Sequence, residues 1–164
     1  MDMSTEEKKH LIDQLTEVHK SIRSVLDGVD PEMPVHKDNG WRVRDIVGHM
    51  ATWDQEIANS LQAYQAGSEY LTPNLDEAEV GFNEKAVLDQ KDLTNQQIID
   101  IFVKASQEFI KAIKEIQDER FPGELLYPWG NERGDIKTLV NYMIEHDIEH
   151  RDEILDAIKA SQEK

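Results

Sequence analysis

The sequence has no cysteine, so disulfide bonds, thiolate metal ligands and a cysteine nucleophile are all excluded. No apolar run approaches the roughly 18 residues needed to span a bilayer, and residues 1–10 lack the apolar core of a signal peptide. Basic residues are few: 18 lysines and arginines stand against 34 aspartates and glutamates, which gives a net charge of −16. Because nucleic acids and anionic membranes bind basic surfaces, neither is expected as a partner. A cytoplasmic location is the remaining expectation.

What the sequence does contain is helical periodicity. Apolar residues recur at steps of three and four, which predicts long amphipathic helices over residues 5–27, 42–66, 94–117 and 135–160. A shorter helix is predicted within residues 75–90, and residues 118–134 are predicted to form an irregular aromatic loop. Thr94 and Gln97 have the spacing of a capping box, and Asp135 is placed to cap the last helix. No segment alternates with the period of a β-strand, so we expect no sheet.

These features predict an all-α protein, a four-helix bundle with one long crossover between its second and third helices. The length of 164 residues is that of a single domain, so residues 1–164 are expected to fold as one domain. No internal repeat or low-complexity tract subdivides the chain.

The last predicted helix carries two histidines on its apolar face. With Leu139 set at zero, a step of about 100° per residue puts Met143 near 40°, His146 near 340°, His150 near 20° and Ile154 near 60°. The i, i+4 spacing places the two imidazoles one turn apart, which is how a helix presents two nitrogens to one metal ion. The alternative is a pair of hydrogen-bonded core histidines.

A bound divalent ion needs at least a third ligand, and without cysteine this ligand has to be a histidine or a carboxylate. His49 is the best candidate, because it lies at the edge of the apolar stripe of the second helix, about 60° from Ile46. Imidazoles suit Zn, Ni, Fe or Cu, and three protein ligands leave a coordination position open. The acidic residues around the pair are expected to face solvent, with Glu149 nearest to supporting an imidazole N–H: Glu145, Asp147, Glu149 and Asp152.

Other candidate residues have ordinary structural interpretations. Three further histidines are predicted at the surface. His10 and His19 lie at polar angles of the first helix, and His36 lies in a proline-flanked loop. Trp53 has the spacing of a core residue, whereas Trp41 and Trp129 are expected either to cover the core or to form a pocket wall. Glu56 lies close to the line of His49 on the second helix, where a solvated carboxylate is expected over a supporting or general-base role.

Residues 40–54, GWRVRDIVGHMATWD, resemble the second-helix motif of the DinB/YfiT-like superfamily. That motif reads W-x-x-x-D-x-x-x-H and supplies the first metal histidine. Trp41, Asp45 and His49 occupy its three positions here. Pro128 and Trp129 belong to a short segment that is similar to the branch containing the ClbS/DfsB proteins.

Residues 143–154, MIEHDIEHRDEI, are similar to the last-helix motif of the same superfamily. There H-x-x-x-H is followed by an arginine, and His146, His150 and Arg151 match these positions. The order of helices and the crossover agree as well, so the likeness covers nearly the whole chain. The resemblance implies an up-down-down-up bundle in which His49, His146 and His150 hold one divalent metal, Zn or Ni.

The resemblance also implies a function, a metal-dependent hydrolase or a thiol-dependent transferase. In such an enzyme the ion activates water, or an external low-molecular-weight thiol, against a small electrophilic substrate. The substrate is expected in a cleft beside the crossover, lined by Trp53, Tyr127 and Trp129. The alternative is a non-catalytic protein that sequesters a small ligand, or a stress or resistance protein with a structural or vestigial metal. Family members further suggest a homodimer.

Overall fold

Four long helices make up most of the computed structural model, which describes residues 3–75 and 81–163. In chain order the elements are helices α1 Met3–Asp27, α2 Val43–Gln65, α3 Phe82–Asp89 and α4 Asn95–Glu115, strands β1 Glu124–Leu126 and β2 Arg133–Asp135, and helix α5 Ile136–Gln162. Helix α2 packs most extensively against α4, and α1 against α5. The predicted four-helix bundle is confirmed, with α3 as a short additional helix in the crossover. None of the helices in the described residues is long and apolar enough to cross a membrane.

Side-chain caps define the starts of α4 and α5. Thr94 Oγ1 accepts a hydrogen bond from the N–H of Gln97 at 3.1 Å, and Gln97 Oε1 accepts one from the N–H of Thr94 at 2.8 Å. Asp135 Oδ1 accepts a hydrogen bond from the N–H of Thr138 at 2.7 Å. Both caps satisfy backbone donors that lack partners inside the first helical turn, as the sequence predicts.

The core lies between the apolar faces of the four long helices. Each of these helices contributes fully buried side chains, including Leu15, Ile57, Phe109 and Leu139. Complete burial of one such side chain contributes about 1.5–3 kcal/mol, so these faces are the main source of stability. The same faces carry the stripes from which the helices are predicted.

The crossover from α2 to α4, residues 66–94, is held against α2 by a buried arginine. Arg44 is only 7% exposed, and its guanidinium donates to Asn95 Oδ1 at 2.7 Å, to the Leu93 carbonyl at 2.7 Å and to the Gln90 carbonyl at 3.2 Å. The helix predicted within residues 75–90 is observed as α3, and residues 76–80 of that prediction lie outside the described residues.

The predicted absence of a sheet is wrong in the aromatic segment before α5. Strands β1 and β2 pair antiparallel, with Leu125 opposite Gly134. Each strand has only three residues, which is too short to show a period of two in the sequence. Tyr127 follows β1, is buried, and donates its hydroxyl to the Asp135 carbonyl at 2.8 Å. This ribbon holds the loop that carries Trp129.

Candidate metal centre

The three predicted histidines meet between α2 and α5. His146 Nε2 lies 3.0 Å from Nε2 of His49 and 3.2 Å from Nε2 of His150. Ligands bound at 2.0–2.1 Å around a tetrahedral ion lie about 3.3–3.4 Å apart. Both distances are close to the spacing that a shared metal ion requires, and one ligand nitrogen from each of the three histidines lies within 4.8 Å of the other two.

The pKa values of the three imidazoles are shifted in different directions. Burial lowers the pKa of His49 to about 3, helped by the positive charges that His146 and His150 would carry. Burial also lowers the pKa of His150, and the charge of a protonated His146 adds to this. For His146 burial opposes protonation, but the hydrogen bond and negative charge of Asp147 outweigh it and the pKa is raised. His49 is thus neutral and able to donate a lone pair at any physiological pH.

Two carboxylates contact the Nδ1 atoms of the two α5 imidazoles and orient these rings. Asp147 Oδ1 lies 3.2 Å from His146 Nδ1, and Glu153 Oε2 lies 3.1 Å from His150 Nδ1. A carboxylate at Nδ1 favours the tautomer with its hydrogen there, which leaves Nε2 free for a metal. Glu149, predicted for such a role, is exposed.

The solvent-facing position predicted for Asp147 is therefore wrong: the residue is completely buried. Asp147 and Glu153 fall about 80° and 40° from Leu139 around the helix, on the two edges of the apolar stripe. That angle is the signal in the sequence by which both could have been found. Glu145 and Asp152, by contrast, are exposed as predicted.

Two of the three histidines predicted at the surface are not there. His19 is 2% exposed, about 40° from Leu15 around α1 and so on its buried face. His36 is half-buried: its ring stacks on Trp41 at 5.7 Å, and its Nε2 contacts the same Glu153 oxygen that supports His150. Only His10 is exposed as predicted.

A cleft of about 460 Å³ opens beside the three histidines. Its other lining residues are mostly aromatic or apolar: Trp53, Asn83, Trp129, Tyr142 and Met143. Trp53 Nε1 donates to Asn83 at 2.8 Å and Trp129 Nε1 donates to Glu132 at 2.8 Å, so both indoles are fixed in place. Trp53 and Trp129 line the cleft as predicted. Tyr127 does not, since it lies behind Trp129 with the ring centres 5.4 Å apart.

The remaining motif residues have structural contacts. Trp41 is buried, with its ring centre 5.2 Å from that of His49. It therefore packs against this histidine and is not among the described residues that line the cleft. Asp45 Oδ2 accepts a hydrogen bond from the N–H of Arg42 at the start of α2. Arg151 donates to Ser21 of α1 at 3.0 Å. Glu56 is half-buried and accepts a hydrogen bond from the Tyr70 hydroxyl at 2.6 Å, away from the histidines.

The sequence model of the DinB family matches residues 3–160. YfiT from Bacillus subtilis, described as a probable metal-dependent hydrolase with an unusual four-helix bundle topology, has a similar structure. It is 15% identical, with a TM-score of 0.73 over 99% of this chain and 91% of YfiT. None of the curated proteins matches the sequence.

Two further solved structures share the fold. A mycothiol-dependent maleylpyruvate isomerase is 12% identical, with a TM-score of 0.73 over 94% of this chain and 63% of the isomerase. An uncharacterised protein from Escherichia coli UTI89 is 14% identical, with a TM-score of 0.74 over 94% of each chain. At these identities the similarity establishes the fold and leaves the reaction open.

Proposed function

The chain belongs to the DinB family, and on this premise we propose that it is a metal-dependent enzyme acting on a small electrophilic substrate. His49, His146 and His150 would hold one divalent transition metal, Zn or Ni. The reaction would be a hydrolysis or a thiol-dependent transfer. Two structural neighbours support the proposal: one is described as a probable metal-dependent hydrolase, and the other is a mycothiol-dependent maleylpyruvate isomerase, which uses a small thiol.

The observation that carries this proposal is the convergence of three Nε2 atoms at the side of an open cleft. Three protein ligands with an open position are typical of catalytic metal sites, whereas structural sites are closed by four. The described lining of the cleft adds no fourth histidine or carboxylate that would close the site. A bound ion supplies an acidified water, with its pKa lowered to about 7, or an ionised thiol.

The residues of this chain have definable tasks in that reaction. Asp147 and Glu153 hold the imidazoles with Nε2 towards the cleft, and Trp53 and Trp129 supply flat apolar walls for the substrate. The chain has no cysteine, so a thiol reactant has to be a separate small molecule. The described lining of the cleft contains no lysine or arginine, so the bound ion would supply its main positive charge.

The test compares protein purified without an affinity tag with four alanine variants. Wild type should contain about one Zn or Ni per chain, and His49→Ala, His146→Ala and His150→Ala should each lose most of it. His10→Ala, on the exposed face of α1, should keep it. Equal metal content in wild type and the site variants would contradict the proposal.

Catalysis is tested separately with activated esters, epoxides and a cis–trans isomerisation substrate, each with and without a low-molecular-weight thiol. Activity should disappear on chelation and return with added metal, while His150→Ala stays helical and inactive. If an alanine triple variant matches wild type on every responsive substrate, the site is not catalytic. Ligand binding by the triple variant that equals ligand binding by wild type would instead favour a sequestering protein.

We also propose that the chain works in the cytoplasm as one domain and pairs as a homodimer. Like charges of −16 on each chain oppose pairing, so a dimer would need salt or an apolar contact face. Sedimentation velocity at low and moderate salt decides this. A monomer under both conditions contradicts the dimer.

A further inference from the structure

A second group of convergent side chains lies deeper in the bundle than the three histidines. His19 on α1, Asp54 on α2 and Asp147 on α5 meet at its centre, with 2%, 0% and 0% of their surfaces exposed. Neither His19 nor Asp54 takes part in the proposed function. A histidine and two aspartates in the middle of an apolar core need a physical explanation, because burying ionisable groups is costly unless they are paired.

The distances in this group are those of ligands around a small ion. His19 Nε2 lies 3.1 Å from Asp54 Oδ2 and 3.4 Å from Asp147 Oδ2. Ligand atoms 2.0–2.1 Å from a tetrahedral ion are about 3.3–3.4 Å apart. One ligand atom from each of the three side chains lies within 4.8 Å of both others.

The polar atoms of the group also lack hydrogen bonds of normal geometry to the described residues. In the described part of the chain, no hydrogen bond of normal geometry reaches these buried atoms: both ring nitrogens of His19, both oxygens of Asp54, and Oδ2 of Asp147. The short contacts of His19 are ion-pair distances without hydrogen-bond angles. Buried polar atoms in native proteins nearly always have a partner, so this set points to an occupant that binds all three side chains.

The charge of the group indicates what that occupant is. No lysine or arginine of the described residues forms an ion pair with either carboxylate, and aromatic rings pack on His19, with centres 5.7 Å away at Phe102 and 6.4 Å away at Phe109. If both aspartates are ionised, one net negative charge remains in the core even with His19 protonated, and either a proton or a bound cation has to remove it. A divalent cation bound to a neutral imidazole and two carboxylates leaves no net charge.

We propose that His19, Asp54 and Asp147 form a second metal site that binds a divalent transition ion inside the bundle. An imidazole with two carboxylates and no thiolate suits Zn²⁺, Mn²⁺ or Fe²⁺. The ion joins α1, α2 and α5 at one point and stabilises the folded chain. It would be connected to the histidine site through Asp147, whose other oxygen contacts His146.

The burial of the site determines how it has to be loaded. With no exposed ligand, the ion enters when the helices assemble and is retained afterwards. The experiment unfolds the full chain in denaturant with a chelator, refolds it with excess zinc, removes free zinc by dialysis and counts the ions retained. Wild type should keep about two zinc ions per chain, one for each site.

Variants assign the ions to the sites. His19→Ala and Asp54→Asn touch only the inner site and should each lose about half of the zinc, whereas His10→Ala on the same helix should lose none. A His49→Ala/His150→Ala double variant should also lose about half of the zinc. Absence of the ion at the three histidines can therefore be distinguished from absence of the ion at the inner site. Circular dichroism establishes that each variant is helical.

Wild type that keeps only one zinc after refolding, with that ion lost in the His49→Ala/His150→Ala variant, overturns the inner site. So does Asp54→Asn that keeps as much zinc as wild type. Should the inner-site variants fail to fold, cobalt(II) in the refolded His49→Ala/His150→Ala variant is decisive. It should show the visible absorption of an N/O-ligated ion, and the absence of that band refutes the site.

Discussion

Glu153 supports His150 from one turn further along α5, with its Oε2 3.1 Å from the imidazole Nδ1. The same oxygen is contacted by Nε2 of His36 from the loop before α2. The hydrogen bonds and charges of these two histidines lower the pKa of Glu153, although burial acts in the opposite direction. The carboxylate is therefore ionised and links a loop histidine to a candidate metal ligand.

Replacing Glu153 with glutamine should weaken metal binding at the three histidines about tenfold to a hundredfold, because the imidazole of His150 loses its anionic partner. The metal affinity of Glu153→Gln and wild type is compared by calorimetry. Glu149→Gln removes an exposed charge from the same helix and is the matched control. Equal losses in the two variants would show that only the overall charge of α5 matters.

Metal affinity should decrease as the pH is lowered, and protonation of His146 should set the pH at which this decrease begins. Its pKa is raised above the usual 6.5 by Asp147, against the effect of burial, and a protonated imidazole cannot bind a metal. The loss should therefore begin near neutral pH as protons compete for His146. His49, with its pKa lowered to about 3 by burial, should contribute nothing to it. Calorimetric titrations between about pH 8 and pH 5 measure this, and a constant affinity across that range would contradict it.

Asp135→Ala should destabilise the protein by about 1 kcal/mol, since α5 loses its N-cap. The hydrogen bond from Thr138 lowers the pKa of Asp135 below its usual 3.8. The stabilisation is thus present above that value and lost as pH falls through the lower folded pKa. Denaturant unfolding at neutral and acidic pH measures it. Asp135→Asn should keep most of the cap without this acid dependence, and the same acid loss in the asparagine variant would exclude this cause.

Gly134→Ala should destabilise the protein by about 1–3 kcal/mol, because there is no room for a larger side chain. A methyl group there would meet the hydroxyl of Tyr127 and lie 2.8 Å from its Cζ. Since Tyr127 packs behind Trp129, the wall of the cleft should shift as well. Gly28→Ala, where a methyl group meets nothing within 4 Å, is the control. Thermal unfolding of both variants provides the comparison, and equal midpoints would contradict the steric argument.

The helices and the three convergent histidines could be predicted because each rests on a local rule. A stripe of apolar residues defines a helix, and His146 and His150 fall on such a stripe one turn apart. His49 needed a second helix as well, and the motif around it supplied that link. In each case the information lies within one helix or one short segment.

The inner cluster and the ribbon were missed for a different reason. Asp54 and Asp147 are charged, and charge alone predicts that they face solvent. The angle of Asp147 at the edge of its apolar stripe is compatible with burial, but which edges meet depends on how α1, α2 and α5 pack together. The strands β1 and β2 are held by pairing with each other, and three residues each are too few to show that preference in the sequence.

The long crossover has a consequence for how quickly the bundle can form. The most extensive helix contact, between α2 and α4, joins segments separated by residues 66–94, so its formation has to close a long loop first. Chains rich in such distant contacts fold more slowly than bundles whose neighbouring helices are joined by tight turns. Arg44, which binds Gln90, Leu93 and Asn95 from the start of α2, fastens the end of that loop. Its contacts therefore hold the closed loop against α2 once α2 and α4 have docked.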